Sequence, residues 1–315
     1  MRHRQLPLAI GVCYWLLSTT VVVNSAALEG NNALQESTSN WLESASQRIR
    51  QRTRDRSHVA WFAYELTRSE LARRPSDPRL QLEAAEALLK YIRHTTNGSF
   101  PRASTGKVSE GDSPESRRVW RKHAPEALRL LKAGTTYAEK SGAYDLAKYR
   151  FLFAEASTYL SSAKGTLRAA LQADAVTFKR NVKPLIQEHP TYQGGVGHTF
   201  MGAFHLAAPW PVHDLAKAKA HFDAALRIDP ACRRNQYCRG LVALESGDAA
   251  QARAYFQKAV KCRPTSPEEE DVGDFFREES LAALKALKKS STTGNHRGCD
   301  GTGRVVVVSK LASDW

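Results

Sequence analysis

Apolar residues recur along most of this chain at the three-and-four spacing of an amphipathic helix, not at the alternation of a half-buried strand. Leu82, Ala85, Leu88, Leu89 and Ile92 form one such stripe within residues 80–93. Residues 60–73 make a helix-like run that ends at Pro75-Ser76-Asp77-Pro78. Residues 125–140 and 143–161 read as one helical hairpin turning at Ser141-Gly142. Residues 166–188 read as a long helix stopped at His189-Pro190, and residues 272–289 as an amphipathic helix near the C-terminus. Between the early helices, residues 95–114 are polar and rich in Gly, Ser and Thr, the composition of a long flexible loop.

Two stretches repeat the same pattern. Ala218, Phe222, Ala225 and Pro230 are followed, 34 residues later, by Ala252, Phe256, Ala259 and Pro264. Small Ala residues let two helices approach closely, Phe fills the gap between hairpins, and Pro ends the helix because it cannot continue one. Gly240 and Gly247 supply the small residue of the preceding helix and its turn in the second unit. Gly202 is the small residue of the first unit, four positions further from its Ala than in the second. The extra residues lie in 207–213, predicted to be an inter-helix loop anchored by Trp210. This pattern resembles the tetratricopeptide repeat. The resemblance implies an all-α, tetratricopeptide-type α-solenoid of helical hairpins, closed by the C-terminal helix as a cap. Arg239 departs from it, because the repeat usually has Leu there.

Residues 166–290 resemble something narrower. His189-Pro190, a Gly-rich turn, Ala208-Pro209-Trp210-Pro211, Asp214 to Ala218, Phe222, Asp229-Pro230 and an acidic stretch before the final helix follow the layout of the T-component of tripartite ATP-independent periplasmic (TRAP) transporters. The eukaryotic regulator-of-microtubule-dynamics family has a similar layout, which an export signal argues against. The T-component resemblance implies a periplasmic partner, namely a solute-binding protein of the transporter. It also implies a helix-lined groove able to take a small apolar ligand. Carried onto this chain, the partner-binding face comprises Arg234, Tyr237, Leu241, Leu244 and Glu245 in the second unit. In the first it comprises Thr199, Ala203 and Leu206, with Val196, Ala207 and the neighbouring Trp210.

The N-terminus changes the cellular picture. Arg2 and Arg4 precede an apolar stretch from Leu6 to Val23, and Asn24-Ser25-Ala26-Ala27 offers small residues for cleavage. Residues 1–27 therefore read as a signal peptide, which places the protein in the periplasm or outside the cell. Ile10-Gly11-Val12 before Cys13 is a poor lipobox. Residues 28–165 form a degenerate hairpin region, 166–290 the repeat domain and 291–315 a flexible tail. Without Arg2 and Arg4 the chain keeps 44 basic against 32 acidic residues, a net charge of +12. Such a charge suits an acidic partner, while export disfavours nucleic acid.

Candidate chemistry is sparse. Cys232 just before one helix and Cys262 at the end of the next fall at the same end of a hairpin, so a disulfide between them is compatible with export; Cys238 is the competing partner. Gly194-Gly195-Val196-Gly197-His198 lacks the spacing of a phosphate-binding loop and reads as a helix connection. His296, Cys299, Gly301 and Gly303 make only half of a zinc knuckle, two ligands where a structural site needs four. His198, His205, His213 and His221 cluster without a metalloprotease pattern, and no nucleophile elbow is present. We expect no catalytic residue, metal or cofactor, and a binding protein that docks a partner or carries an apolar ligand; an oligomer is compatible with either.

Overall fold

The computed structural model describes residues 55–109, 111–140, 143–164, 174–208, 210–265 and 267–293. The expected signal peptide and the tail with His296 and Cys299 lie outside them. Among the described residues there are ten α-helices and no strand. They are α1 (55–73), α2 (Pro78–Thr96), α3 (Pro114–Lys140), α4 (Ala143–Lys164), α5 (Asp174–Gln187), α6 (Val196–Ala207), α7 (Leu215–Ile228), α8 (Arg233–Glu245), α9 (Ala249–Lys261) and α10 (Pro267–Thr293). Each helix from α2 to α10 packs on its neighbours in the chain, giving an all-α, solenoid-like stack. The last helix α10 also packs against α8 and reaches back to α2.

The helix starts are written into short polar signals. Asp77 accepts hydrogen bonds from the backbone N–H groups of Arg79 and Leu80 ahead of Pro78 at the first turn of α2. Asp214 does the same for Lys217 in α7, and Asp248 for Gln251 in α9. Each carboxylate satisfies donors that the first helical turn leaves unpaired. The hydroxyl of Ser113 caps α3 by accepting from Ser116, so this helix begins well before the predicted Pro125. Pro125 and Pro184 both sit inside helices, each removing one ladder bond at a cost of roughly 3 kcal/mol. Around Pro125 the fully buried Trp120, Ala124, Ala127, Leu130 and Leu131 offset that cost.

Two apolar clusters carry the stack. The first runs from α1 to α6 through Leu88, Leu89, Ile92, Trp120, Leu130, Leu152 and Leu185. The second joins α6 to α10 and is centred on Phe222, Tyr237, Phe256 and Phe276. The 34-residue pattern sits inside the second. A Cβ added to Gly202 would lie 2.5 Å from the Phe222 ring, and one added to Gly240 would lie 2.6 Å from the Phe256 ring. Ala218, Ala225, Ala252 and Ala259 are fully buried beside those rings. Gly247 turns α8 into α9 with φ of 77°, a left-handed conformation that favours glycine.

The polar segment between α2 and α3 is packed, although its composition suggested a flexible loop. Arg102 and Ser109 exchange backbone hydrogen bonds, Ala103 is fully buried, and the Phe100 ring stands 5.0 Å from Phe276 of α10. The backbone N–H groups of Ala103 and Ser104 both donate to one Glu279 oxygen, at 3.1 and 3.2 Å.

Candidate functional site

The face assigned to partner binding in the second hairpin is covered by the chain itself. Tyr237 on α8 is fully buried, its hydroxyl donating to the Pro101 carbonyl at 2.8 Å and its ring 5.3 Å from Phe276. Burial, with the nearby Glu279 carboxylate, pushes the Tyr237 hydroxyl well above the usual range, so it stays a neutral donor. Leu241 is buried in the same cluster, Leu244 is half-buried and Glu245 is exposed. The expectation of an open groove along α8 is therefore corrected. Phe100 and α10 occupy the space in front of it because their rings complete a core that two hairpins alone would leave unfilled.

Arg234 is likewise buried. Its backbone N–H donates to Glu269 and its guanidinium to the Gln193 carbonyl in the turn before α6. Burial alone would raise the Glu269 pKa, but hydrogen bonds from the Thr265 and Arg234 backbones and the Arg234 charge hold it below the usual value. Thr199 is buried with its hydroxyl on the Asn235 side-chain oxygen at 3.1 Å. Asn235 in turn donates to the carbonyls of Gly194 and Ala225, at 2.9 and 3.0 Å. Leu206 is buried, as is Val196, whereas Ala203 is half-buried and Ala207 exposed. Most of the proposed face is thus internal packing between hairpins.

Trp210 behaves differently. Its side chain is 88% exposed, so it does not anchor the α6–α7 loop. The loop is held at its base instead. The Asp214 N–H donates to the His205 carbonyl at 3.0 Å, and the His213 ring nitrogen Nδ1 pairs with the Leu206 carbonyl at 3.0 Å. A fixed base thus presents a large apolar side chain to solvent. Val59, Phe62 and Leu66 form a second exposed apolar set, on one face of α1.

Three of the four clustered histidines come together. The Nδ1 atoms of His198 on α6 and His221 on α7 lie 3.1 Å apart, and the His205 ring stacks 6.0 Å from His221. His213 pairs instead with the Leu206 carbonyl in the last turn of α6. No group of three His, Cys, Asp or Glu among the described residues is placed to hold a metal ion.

Cys232, Cys238 and Cys262 are free, which corrects the expected Cys232–Cys262 disulfide. The Cys232 thiol instead donates to Glu269 at 3.1 Å. Burial pushes Cys232 and Cys238 up to about 12, and raises half-buried Cys262 as well.

One constellation carried no signal in the sequence. Arg93 of α2, buried, makes two hydrogen bonds of 2.8 Å to Glu155 of α4 and one of 2.9 Å to Asp271 of α10. Tyr159 donates to Glu155, and His94 stands 3.5 Å from Asp271. Only the fold brings together residues up to 178 positions apart. Paired charges of this kind tie three helices at one point.

No family model matches the chain, and no curated protein matches it. No helix among the described residues is long and apolar enough to cross a membrane.

Proposed function

We propose that this is an exported helical-repeat protein of the tetratricopeptide type that docks a partner protein, an accessory subunit of a transport system akin to the TRAP T-component. The observation that carries this reading is Trp210, fully presented on a loop whose base is hydrogen-bonded to α6. An indole left in water is unusual in a folded chain, and Trp is enriched among the residues that dominate protein interfaces. The expected partner is an exported solute-binding protein, and the basic mature chain suits an acidic docking surface. Leu244 and Glu245 at the end of α8 remain reachable at the margin of the covered face.

Carriage of an apolar ligand along α8 is the weaker reading. It would require Phe100 and its segment to leave the space they fill against Tyr237 and Phe276.

The experiment is a paired affinity purification from the native host, using the wild-type protein and Trp210→Ala. A partner retained by the first and depleted about thirtyfold or more from the second supports docking through the loop, since interface Trp residues contribute about 2 kcal/mol or more. Equal recovery by both, or no specific partner, overturns it.

A further inference from the structure

We propose that His198 and His221 form a two-imidazole binding site for a first-row divalent transition-metal ion, Cu2+ before Zn2+. The site is built at the start of the α6–α7 hairpin, on opposite helices. The two Nδ1 atoms face each other at 3.1 Å. Imidazole–metal bonds are about 2.0–2.1 Å, so an ion bound to both nitrogens would see them at roughly 100°, between octahedral and tetrahedral values. The rings now point at each other, with centroids 5.3 Å apart, so binding turns each by about 40° off the line joining the two nitrogens and replaces their mutual hydrogen bond with two metal bonds.

The protonation state fits. Burial lowers His198 and His221 below their ordinary value, with Arg227 adding to the effect on His198 and the neighbouring rings adding to it on His221. Burial thus favours the neutral form of both rings, the form that ligates a metal. His205, also lowered chiefly by burial, stacks on His221 with its planes 10° apart. Its Nδ1 is turned to the Val212 carbonyl, so it does not converge on the pair, and water would complete the coordination. The charges around the cluster are Arg227 near His198, and Lys179, Lys217 and Asp214 near His205. Two imidazoles beside net positive charge make a modest site, and imidazole ligation favours Cu2+ over the other divalent ions.

Both rings are half-buried and within reach of solvent. Buried Cys232 and Cys238, with thiols held protonated, do not compete.

The test is calorimetric titration of the untagged full-length protein carrying His3→Gln, which removes the amino-terminal Met1-Arg2-His3 chelate, with Cu2+ alone at about pH 7.5 and electron paramagnetic resonance of the loaded sample. We expect one equivalent bound through two nitrogen ligands, with affinity falling about tenfold or more in His198→Gln and in His221→Gln. His58→Gln, on the exposed face of α1, and His296→Ala/Cys299→Ser, in the tail, are expected to bind as this parent does. The spectrum of the parent protein decides the matter even if a histidine variant does not fold. No saturable binding, a thiolate ligand, or binding abolished by the tail variant overturns the proposal.

Discussion

The Phe256 ring lies where a side chain on Gly240 would have to be: a Cβ there would meet its Cε1 at 2.6 Å. Phe222 stands in the same relation to Gly202 one repeat earlier. The two pairs convert a sequence period into close helix packing, because a ring can lie across a neighbouring helix only where that helix has no side chain.

Gly240→Ala sets two effects against each other. Alanine favours a helix interior by about 1 kcal/mol over glycine, while overpacking a filled site costs typically about 1–3 kcal/mol. With Phe256 fully buried, the clash is expected to win, giving a net loss of up to about 2 kcal/mol in urea denaturation. In that background Phe256→Leu is expected to cost less than it does in the wild type. Strict additivity of the two changes would count against the contact.

The buried ion pair makes a sharper case. Replacing Glu155 by Gln leaves Arg93 paired only with Asp271 inside the stack, and removing one partner of a buried pair costs about 3–5 kcal/mol. Arg93→Met with Glu155→Leu is expected to cost less than the sum of the single changes. Denaturation midpoints of the four proteins measure the coupling.

Much of this architecture was legible in the chain. Ala218, Phe222 and Ala225 and their counterparts at 252, 256 and 259 were picked out by spacing, and all six prove fully buried. The period survives because each position answers a local packing need. Arg239, the departure from the repeat, is explained by a partner rather than by spacing. It is buried against Asp223 at 2.6 Å and lies over the Tyr255 ring, so a charge pair stands where an apolar side chain is usual. The covering of Tyr237 was not legible. It depends on Pro101, 136 residues away, and on α10, neither of which local pattern connects to α8. The same limit hid Arg93, Glu155 and Asp271.

Thiol chemistry checks the cysteines. Among the three described cysteines, with Cys232 and Cys238 held protonated by burial, iodoacetamide at mildly alkaline pH is expected to modify half-buried Cys262 before Cys232 and Cys238, which react only on unfolding. Peptide mapping by mass spectrometry reads the order. A Cys232–Cys262 linked peptide in the unreduced protein would contradict the free thiols.

Acid should weaken the fold through histidine. Burial lowers His94 from 6.5 to about 4 despite the attraction of Asp271. The unfolded chain therefore binds a proton that the folded chain refuses between those values. The stabilisation is complete above about pH 6.5 and is lost as pH falls towards about 4. Denaturation midpoints across that window are expected to fall, and to fall less steeply in His94→Gln. A wild-type midpoint that is flat from pH 6.5 to 4 would contradict this.

The most direct test of docking is site-specific photocrosslinking in the native host, with the photoreactive residue at position 210 or, separately, at buried position 237. A discrete adduct with another exported protein is expected from position 210 and none from position 237. No adduct from 210, together with an apolar small molecule copurifying in stoichiometric amount, would contradict docking and return the balance to a ligand carrier.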